Sequence, residues 1–174
     1  ATWSTPQVVY EGSVQVFFQL LAAGEQVYVT WHAGDAGKPS AVYFNASDDG
    51  GATWRHPWDA PVRIDDAKAT GDGARHPRMA LHDTSGVAIA WQENQERVLV
   101  RISTDGGKTW PNAPVEVATA AEKKTLRYPQ VALSDKGAFV LWESWTDMTG
   151  QRKTLGDLEK PTPRDVYVRG VKHR

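Results

Sequence analysis

Ser103-Thr-Asp105-Gly-Gly107-Lys-Thr109-Trp110 repeats, in the order of its key residues, a stretch that stands 56 residues earlier (103 against 47), Ser47-Asp-Asp49-Gly-Gly51-Ala-Thr53-Trp54. Both fit S-x-D-x-G-x-T-W, and these residue types suit a tight turn. An Asp side chain accepts from backbone N–H groups of its own loop, Gly permits positive φ, and a Trp leaving the turn can wedge into a core. Ser47, Asp49, Gly51, Thr53 and Trp54, with Ser103, Asp105, Gly107, Thr109 and Trp110, are therefore read as structural turn residues. Before the two turns lie Ala41-Val-Tyr-Phe-Asn45 and Arg97-Val-Leu-Val-Arg101, matched near the other end by Asp165-Val-Tyr-Val-Arg169. All three have the period-two alternation of a half-buried strand.

Further upstream, Val27-Tyr-Val-Thr-Trp31, Val87-Ala-Ile-Ala-Trp91 and Ala138-Phe-Val-Leu-Trp142 each read as a strand ending in Trp. Arg75-His-Pro-Arg-Met-Ala-Leu81 and Arg127-Tyr-Pro-Gln-Val-Ala-Leu133 precede two of them, and the divergent Val16-Phe-Phe-Gln-Leu-Leu21 takes that place in the first repeat. After the turns come Pro61-Val-Arg-Ile64 and Pro114-Val-Glu-Val117, and Pro6-Gln-Val-Val-Tyr10 near the start matches them. With the four strand types labelled A to D in this order, the register is D, then A-B-C-D twice, then A-B-C. The chain is expected to be a single all-β domain over 1–174, with four-stranded antiparallel units at roughly 11–64, 74–117 and 126–171, and strand 6–10 completing a sheet. That pattern is a β-propeller repeat.

The S-x-D-x-G-x-T-W turns at this spacing resemble the Asp-box (BNR) repeats of sialidase-like β-propellers. Ala1-Thr2-Trp3 resembles the tail of another box, whereas Val171-Lys-His173-Arg174 stands where a third box would be and lacks its Ser and Asp. About three units fall short of the usual four to eight blades, so completion by a homodimer, a larger complex or a missing remainder is expected. The family has an R-x-P motif at the start of an inner strand, whose Arg grips a substrate carboxylate, and Arg75-His-Pro77 and Arg127-Tyr-Pro129 resemble it. Arginine suits the task because its planar fork donates two parallel hydrogen bonds and stays charged. The first repeat has Phe17 and Phe18 there instead.

Arg75, Arg127, Tyr128 and Trp145 are the candidate ligand-binding residues. No catalytic residue is assigned. The family's three arginines, Tyr–Glu pair and Asp acid/base are spread over six blades, which three units cannot supply alone. Glu93 and Glu143, after the strand-B tryptophans, read as rim charges. Trp58, Trp142 and Trp145 exceed what the turns require and are either inter-blade core or a surface that stacks on sugar rings. Trp145 to Arg164 forms a long polar B–C connection of the kind that often carries function. The resemblance implies a binding or scaffold module recognising a glycan, an anionic one included, or a protein partner. Its alternative is an exo-sialidase-type glycoside hydrolase active only as a completed six-bladed ring.

Composition narrows the remaining classes. The chain has 174 residues with 20 Lys+Arg against 21 Asp+Glu, a net charge of −1, so no cationic field draws nucleic acid. There is no cysteine, which removes disulfides, thiol nucleophiles and Cys-ligated metals. No apolar run approaches the roughly 20 residues of a membrane span. The longest, Val14 to Ala23, contains Gln15 and Gln19. Ala1 in first place points to processing, so a secreted or periplasmic location is expected. The five histidines show no metal-ligand spacing, and neither metal nor cofactor is expected. Asp48-Asp49 and Asp65-Asp66 read as solvated turn charges, and Asn45-Ala-Ser47 is a formal glycosylation sequon to which no weight is given.

Overall fold

The computed structural model describes residues 5–6, 8, 17–35, 37–66, 71–83, 85–146 and 164–172. Eleven strands in them form three antiparallel sheets. The first is β1 (Phe17–Ala23), β2 (Gln26–Ala33), β3 (Ala41–Ser47) and β4 (Val62–Arg63). The second is β5 (Ala74–His82), β6 (Gly86–Glu93), β7 (Arg97–Ser103) and β8 (Val115–Thr119). The third holds β9 (Lys124–Ser134), β10 (Gly137–Thr146) and β11 (Arg164–Val171). Each sheet runs A-B-C-D in space as in sequence, the third as A-B-C, so the all-β blade architecture and its register are as expected. The outer strand of the first unit shrinks to Val62–Arg63, and Trp145 belongs to β10 rather than to the loop after it. Pro6 is exposed and Val8 is 61% exposed, and both lie outside every strand. The rest of the expected strand 6–10, and most of the 145–164 connection, lie outside the described residues. No helix among those residues is long and apolar enough to cross a membrane.

Sheets stack face to face because each strand B puts alternate residues on opposite faces. In β6, Val87, Ile89 and Trp91 face the first unit and join Tyr28, Val42, Phe44 and Met79. Ala88 and Ala90, with Val98, Val100 and Val117, face the third unit and meet Leu126, Val140 and Trp142. Small residues on one face and large ones on the other let a flat row of alanines receive the bulk of the next sheet. Trp142 is thus core, stacked on Tyr167 with ring centroids 5.8 Å apart. Trp58 also packs, 6.0 Å from Trp31 and 4.7 Å from Trp54, over the free face of the first sheet.

The two Asp boxes fold identically. Ser47 Oγ donates to Asp49 Oδ1 (2.8 Å) and accepts from Gly51 N (2.8 Å); Asp49 accepts from Thr53 N (2.8 Å) and Thr53 Oγ1 (2.6 Å). The second box matches: Ser103 to Asp105 2.7 Å, Gly107 N to Ser103 2.9 Å, and Thr109 N and Oγ1 to Asp105 at 2.9 and 2.6 Å. The hydrogen bonds from Thr53 hold the Asp49 carboxyl down at about 2. For Asp105 burial pushes upward, yet the bonds from Thr109 and Ser103 outweigh it and hold this carboxyl also at about 2. Gly50 N and Gly106 N donate to Glu25 O and Ser85 O, each at 2.7 Å, tying the box to the A–B hairpin of its own unit. The boxes are turn devices, as their residue types indicate.

Two acidic positions differ from expectation. Asp65 is buried, not a solvated turn charge: its Oδ1 accepts from Val42 N at 2.8 Å and its carboxylate takes Arg63 Nη2 at 2.7 Å. Glu93 is buried beneath Arg97, with which it is paired across the β6–β7 hairpin, rather than standing on the rim. Asn45, in the sequon to which no weight is given, is fully buried and donates Nδ2 to His56 O at 2.8 Å.

Candidate functional site

Both R-x-P segments are β-bulges. Pro77 and Pro129 have no N–H to give to the ladder, so the pairing skips: Arg75 is opposite Gln92 and Arg78 opposite Ala90, while Arg127 is opposite Glu143 and Gln130 opposite Leu141. The extra residue takes the left-handed region, His76 at φ 53° and Tyr128 at φ 52°. That is a costly place for a side chain with a Cβ, so something must hold it. The holder is the residue after the strand-B Trp of the preceding unit: His32 Nδ1 accepts from His76 N at 3.3 Å, and Gln92 Oε1 accepts from Tyr128 N at 3.1 Å. β1 pairs with β2 without a bulge, and Phe17 stands opposite His32 where the other units have Arg.

The bulges aim a row of rings along the ends of the three inner strands. Phe17 lies 5.5 Å from His32 and 4.6 Å from His76, His76 lies 5.5 Å from Tyr128, and Tyr128 lies 6.1 Å from Trp145. The row ends at Trp145, with the Arg127 guanidinium 4.9 Å and that of Arg164 4.5 Å from its ring centre. Trp145 is held by its indole N–H, which donates to Glu143 Oε2 at 2.6 Å. Tyr128 is 43% exposed, so it is a surface ring and not one packed between sheets. Arg127 Nε is buried and bonds to none of the described residues.

Of the four sequence-predicted binding residues, Arg127, Tyr128 and Trp145 meet directly. Arg75 is set apart by its Nε bond to Asp72 O at 3.0 Å, but it reaches His76 electrostatically. His76 is pushed below the usual histidine range first by burial, against an opposing hydrogen bond to Gln92, and then by the charges of Arg75, Arg78 and Arg127. His32 is lowered to about 4, by burial first and then by His76 and Arg75. This end of the inner strands is therefore neutral at its histidines and positive at its arginines.

His32 gives a test of that environment. Its folded value lies below the unfolded 6.5, so the unfolded chain binds more protons between the two, and stability falls as pH drops from about 6.5 to about 4. His32→Gln supplies the acceptor that Gln92 supplies in the second unit. Unfolding titrations at pH 7, 6, 5 and 4 are expected to show a shallower loss for His32→Gln than for the wild type, the remaining slope coming from His76 and, toward pH 4, from carboxyls held low such as Asp49 and Asp105.

Sequence reasoning missed two groups. The acceptor position after each strand-B Trp was visible as a repeat, but the match is His32, Gln92 and Glu143 rather than Glu93 and Glu143. His82, Asp83 and Asp135 bring ligand atoms within 4.8 Å of one another where two A–B hairpins meet, and His82 Nε2 lies 2.7 Å from Asp135 Oδ1. Both carboxylates are exposed, and the hydrogen bond that His82 donates to Asp135 raises the pKa of His82, so the group serves as an ion pair between hairpins. His76 is not part of it, because the bulge separates the two histidines.

No protein-family model matches the chain, and no curated protein matches it in sequence. Solved structures do resemble it. An alpha-L-arabinanase from Penicillium chrysogenum complexed with arabinobiose superimposes with a TM-score of 0.55 at 16% identity, over 87% of this chain and 45% of that one. The GH43 endo-arabinanase from Bacillus licheniformis gives a TM-score of 0.49 at 11% identity, over 71% of this chain and 43% of that one. The chain spans less than half the length of either. At such identity the Penicillium structure supports the fold alone, a partial β-propeller.

Proposed function

We propose that this chain is a glycan-binding propeller module that takes an acidic sugar at the end of its inner strands, with Arg127, Tyr128 and Trp145 in contact and Arg75 adding charge. The observation that carries the reading is the Arg127–Trp145 pair: a guanidinium laid on an indole, its Nε without a partner among the described residues, beside an exposed Tyr. An aromatic face suits the apolar face of a pyranose ring, and the fork of Arg suits a carboxylate. The resemblance of Arg75-His-Pro77 and Arg127-Tyr-Pro129 to the sialidase R-x-P motif favours a sialic-acid-type carboxylate. A binding role is favoured over hydrolysis because Glu93 is consumed by Arg97 and Glu143 by the Trp145 indole. Those engagements leave neither of the two acids that follow a strand-B Trp ready to protonate a leaving group.

Titration calorimetry with 3′-sialyllactose, lactose and arabinobiose tests the reading. Saturable binding of the sialylated sugar alone is expected, with Arg127→Ala weakening it about tenfold to a hundredfold, the worth of a charge-assisted contact. Equal binding of lactose would remove the acidic sugar from the reading. Preference for arabinobiose, the sugar held by the Penicillium neighbour, would move it to neutral glycans. Turnover of a fluorogenic sialoside that is abolished in Arg127→Ala would establish the hydrolase alternative instead.

A further inference from the structure

His76 sits where the three inner strands come together. It is the left-handed bulge residue of the second unit, as Tyr128 is of the third, and the two rings are neighbours in the row, 5.5 Å apart. On its other side the His76 ring meets Phe17 edge-on at 4.6 Å and His32 at 5.6 Å. Two units fix it in place. Its backbone N–H donates to His32 Nδ1, and its ring is hydrogen-bonded to Gln92, a buried side chain whose Oε1 also accepts from Tyr128 N. A titratable ring is thus locked directly behind a side chain that the glycan reading puts in contact with the sugar.

The full charges around this ring are of one sign. Its own strand β5 supplies Arg75 and Arg78, and β9 supplies Arg127. From β2 comes His32, lowered to about 4 and so neutral above that pH. The other groups facing it are Phe17 of β1, the neutral amide of Gln92 of β6 and the Tyr128 phenol of β9. None of these is a carboxylate. Burial first, and then the three guanidinium charges, outweigh the hydrogen bond to Gln92 and hold His76 below the usual histidine range. His76 Nδ1 is buried and bonds to none of the described residues, so no partner offsets a proton there. A carboxylate seated on Arg127 reverses this balance, because it cancels one repelling charge and brings a negative one close to the ring.

We propose that an acidic ligand binds at this end of the inner strands together with a proton from the solvent, which the His76 ring takes up, so that the site tightens as the medium turns acidic. The inference rests on the acidic-glycan reading and adds to it the condition under which the site binds best. Linkage fixes the sign. The anion raises the pKa of His76, so between the free and the bound values the complex holds more protons than its separated parts, and affinity rises as pH falls through that window. The window lies around and below the ordinary histidine value of about 6.5. A neutral sugar carries no charge to stabilise the imidazolium and gains nothing from acid.

Calorimetry with 3′-sialyllactose at pH 7, 6 and 5, in buffers of unequal ionisation enthalpy and with folding checked by circular dichroism, tests the proposal. About a fivefold tightening from pH 7 to pH 5 is expected, the order of one charge pair beside water, with net proton uptake at pH 6. By NMR the His76 ring should titrate at higher pH with the sugar than without it. The midpoint of His82, at the far end of β5 and paired with Asp135, should not move. His76→Asn removes the titrating ring and suits φ 53°, because Asn tolerates the left-handed region. That variant should flatten the pH dependence, which His82→Asn should leave in place. Equal tightening in His76→Asn, or wild-type binding that is flat or weaker toward pH 5, overturns the proposal and leaves the glycan reading standing. Failure of 3′-sialyllactose to bind at both pH 7 and pH 5 overturns the glycan reading and this proposal with it.

Discussion

Trp91→Ala is expected to lower the unfolding free energy by about 3–5 kcal/mol, the range for emptying a buried aromatic site. Trp91 is fully buried where the first two sheets meet, in one cluster with Tyr28, Phe44, Ile89 and Leu99. Its neighbours come from both sheets and are themselves pinned by ladder bonds, so they cannot close the gap by a local shift. The loss should therefore sit near the top of the range. Trp91→Phe keeps most of the volume, and the indole N–H makes no hydrogen bond with the described residues. That variant should cost well under half as much, because only part of the packing is removed and no polar partner is left unsatisfied. Chemical denaturation of the three proteins checks both numbers. If Trp91→Phe proved as damaging as Trp91→Ala, the indole N–H would be making a contact that this packing does not contain.

The same tryptophans explain why so much of the fold could be read. A strand that closes on Trp at Trp31, Trp91 and Trp142 marks the side facing the preceding sheet, and the S-x-D-x-G-x-T-W turn marks where strand C ends. Together they set the register of all eleven strands to within a few residues. The site was less legible, and for a physical reason. Pro77 and Pro129 announced that a ladder bond was missing, but alternation alone cannot say that the chain answers with a bulge and a left-handed His76 or Tyr128. Nor can it say that the bulge amide is taken by a side chain of another unit, 44 residues away for His76 and His32 and 36 for Tyr128 and Gln92. Glu93 was misread for the opposite reason: its partner Arg97 is only four residues on, but the hairpin that brings them together also buries the acid.

Gly107→Ala is expected to cost about 3 kcal/mol and Gly51→Ala only about 1, although the two glycines hold the same place in the two boxes. Both adopt positive φ, 77° and 88°, so each substitution meets the backbone strain of a Cβ in the left-handed region, about 1 kcal/mol. Space separates them. A Cβ on Gly51 would find nothing nearer than Trp54 Cζ2 at 4.0 Å, whereas one on Gly107 would lie 2.4 Å from Phe44 Cζ and 2.6 Å from its Cε1. Phe44 is fully buried, stacked with Tyr28 and edge-on to Trp110, so its ring can move only by displacing a packed cluster. Overpacking of that kind adds roughly 1–3 kcal/mol to the strain. The asymmetry arises because the second box is pressed against another sheet while the first faces the uncovered side of unit one. Thermal and denaturant unfolding of both variants measures it, and Phe44→Leu should recover part of the Gly107→Ala loss while doing nothing for Gly51→Ala. Equal costs for the two glycines would mean that the second box does not rest on Phe44.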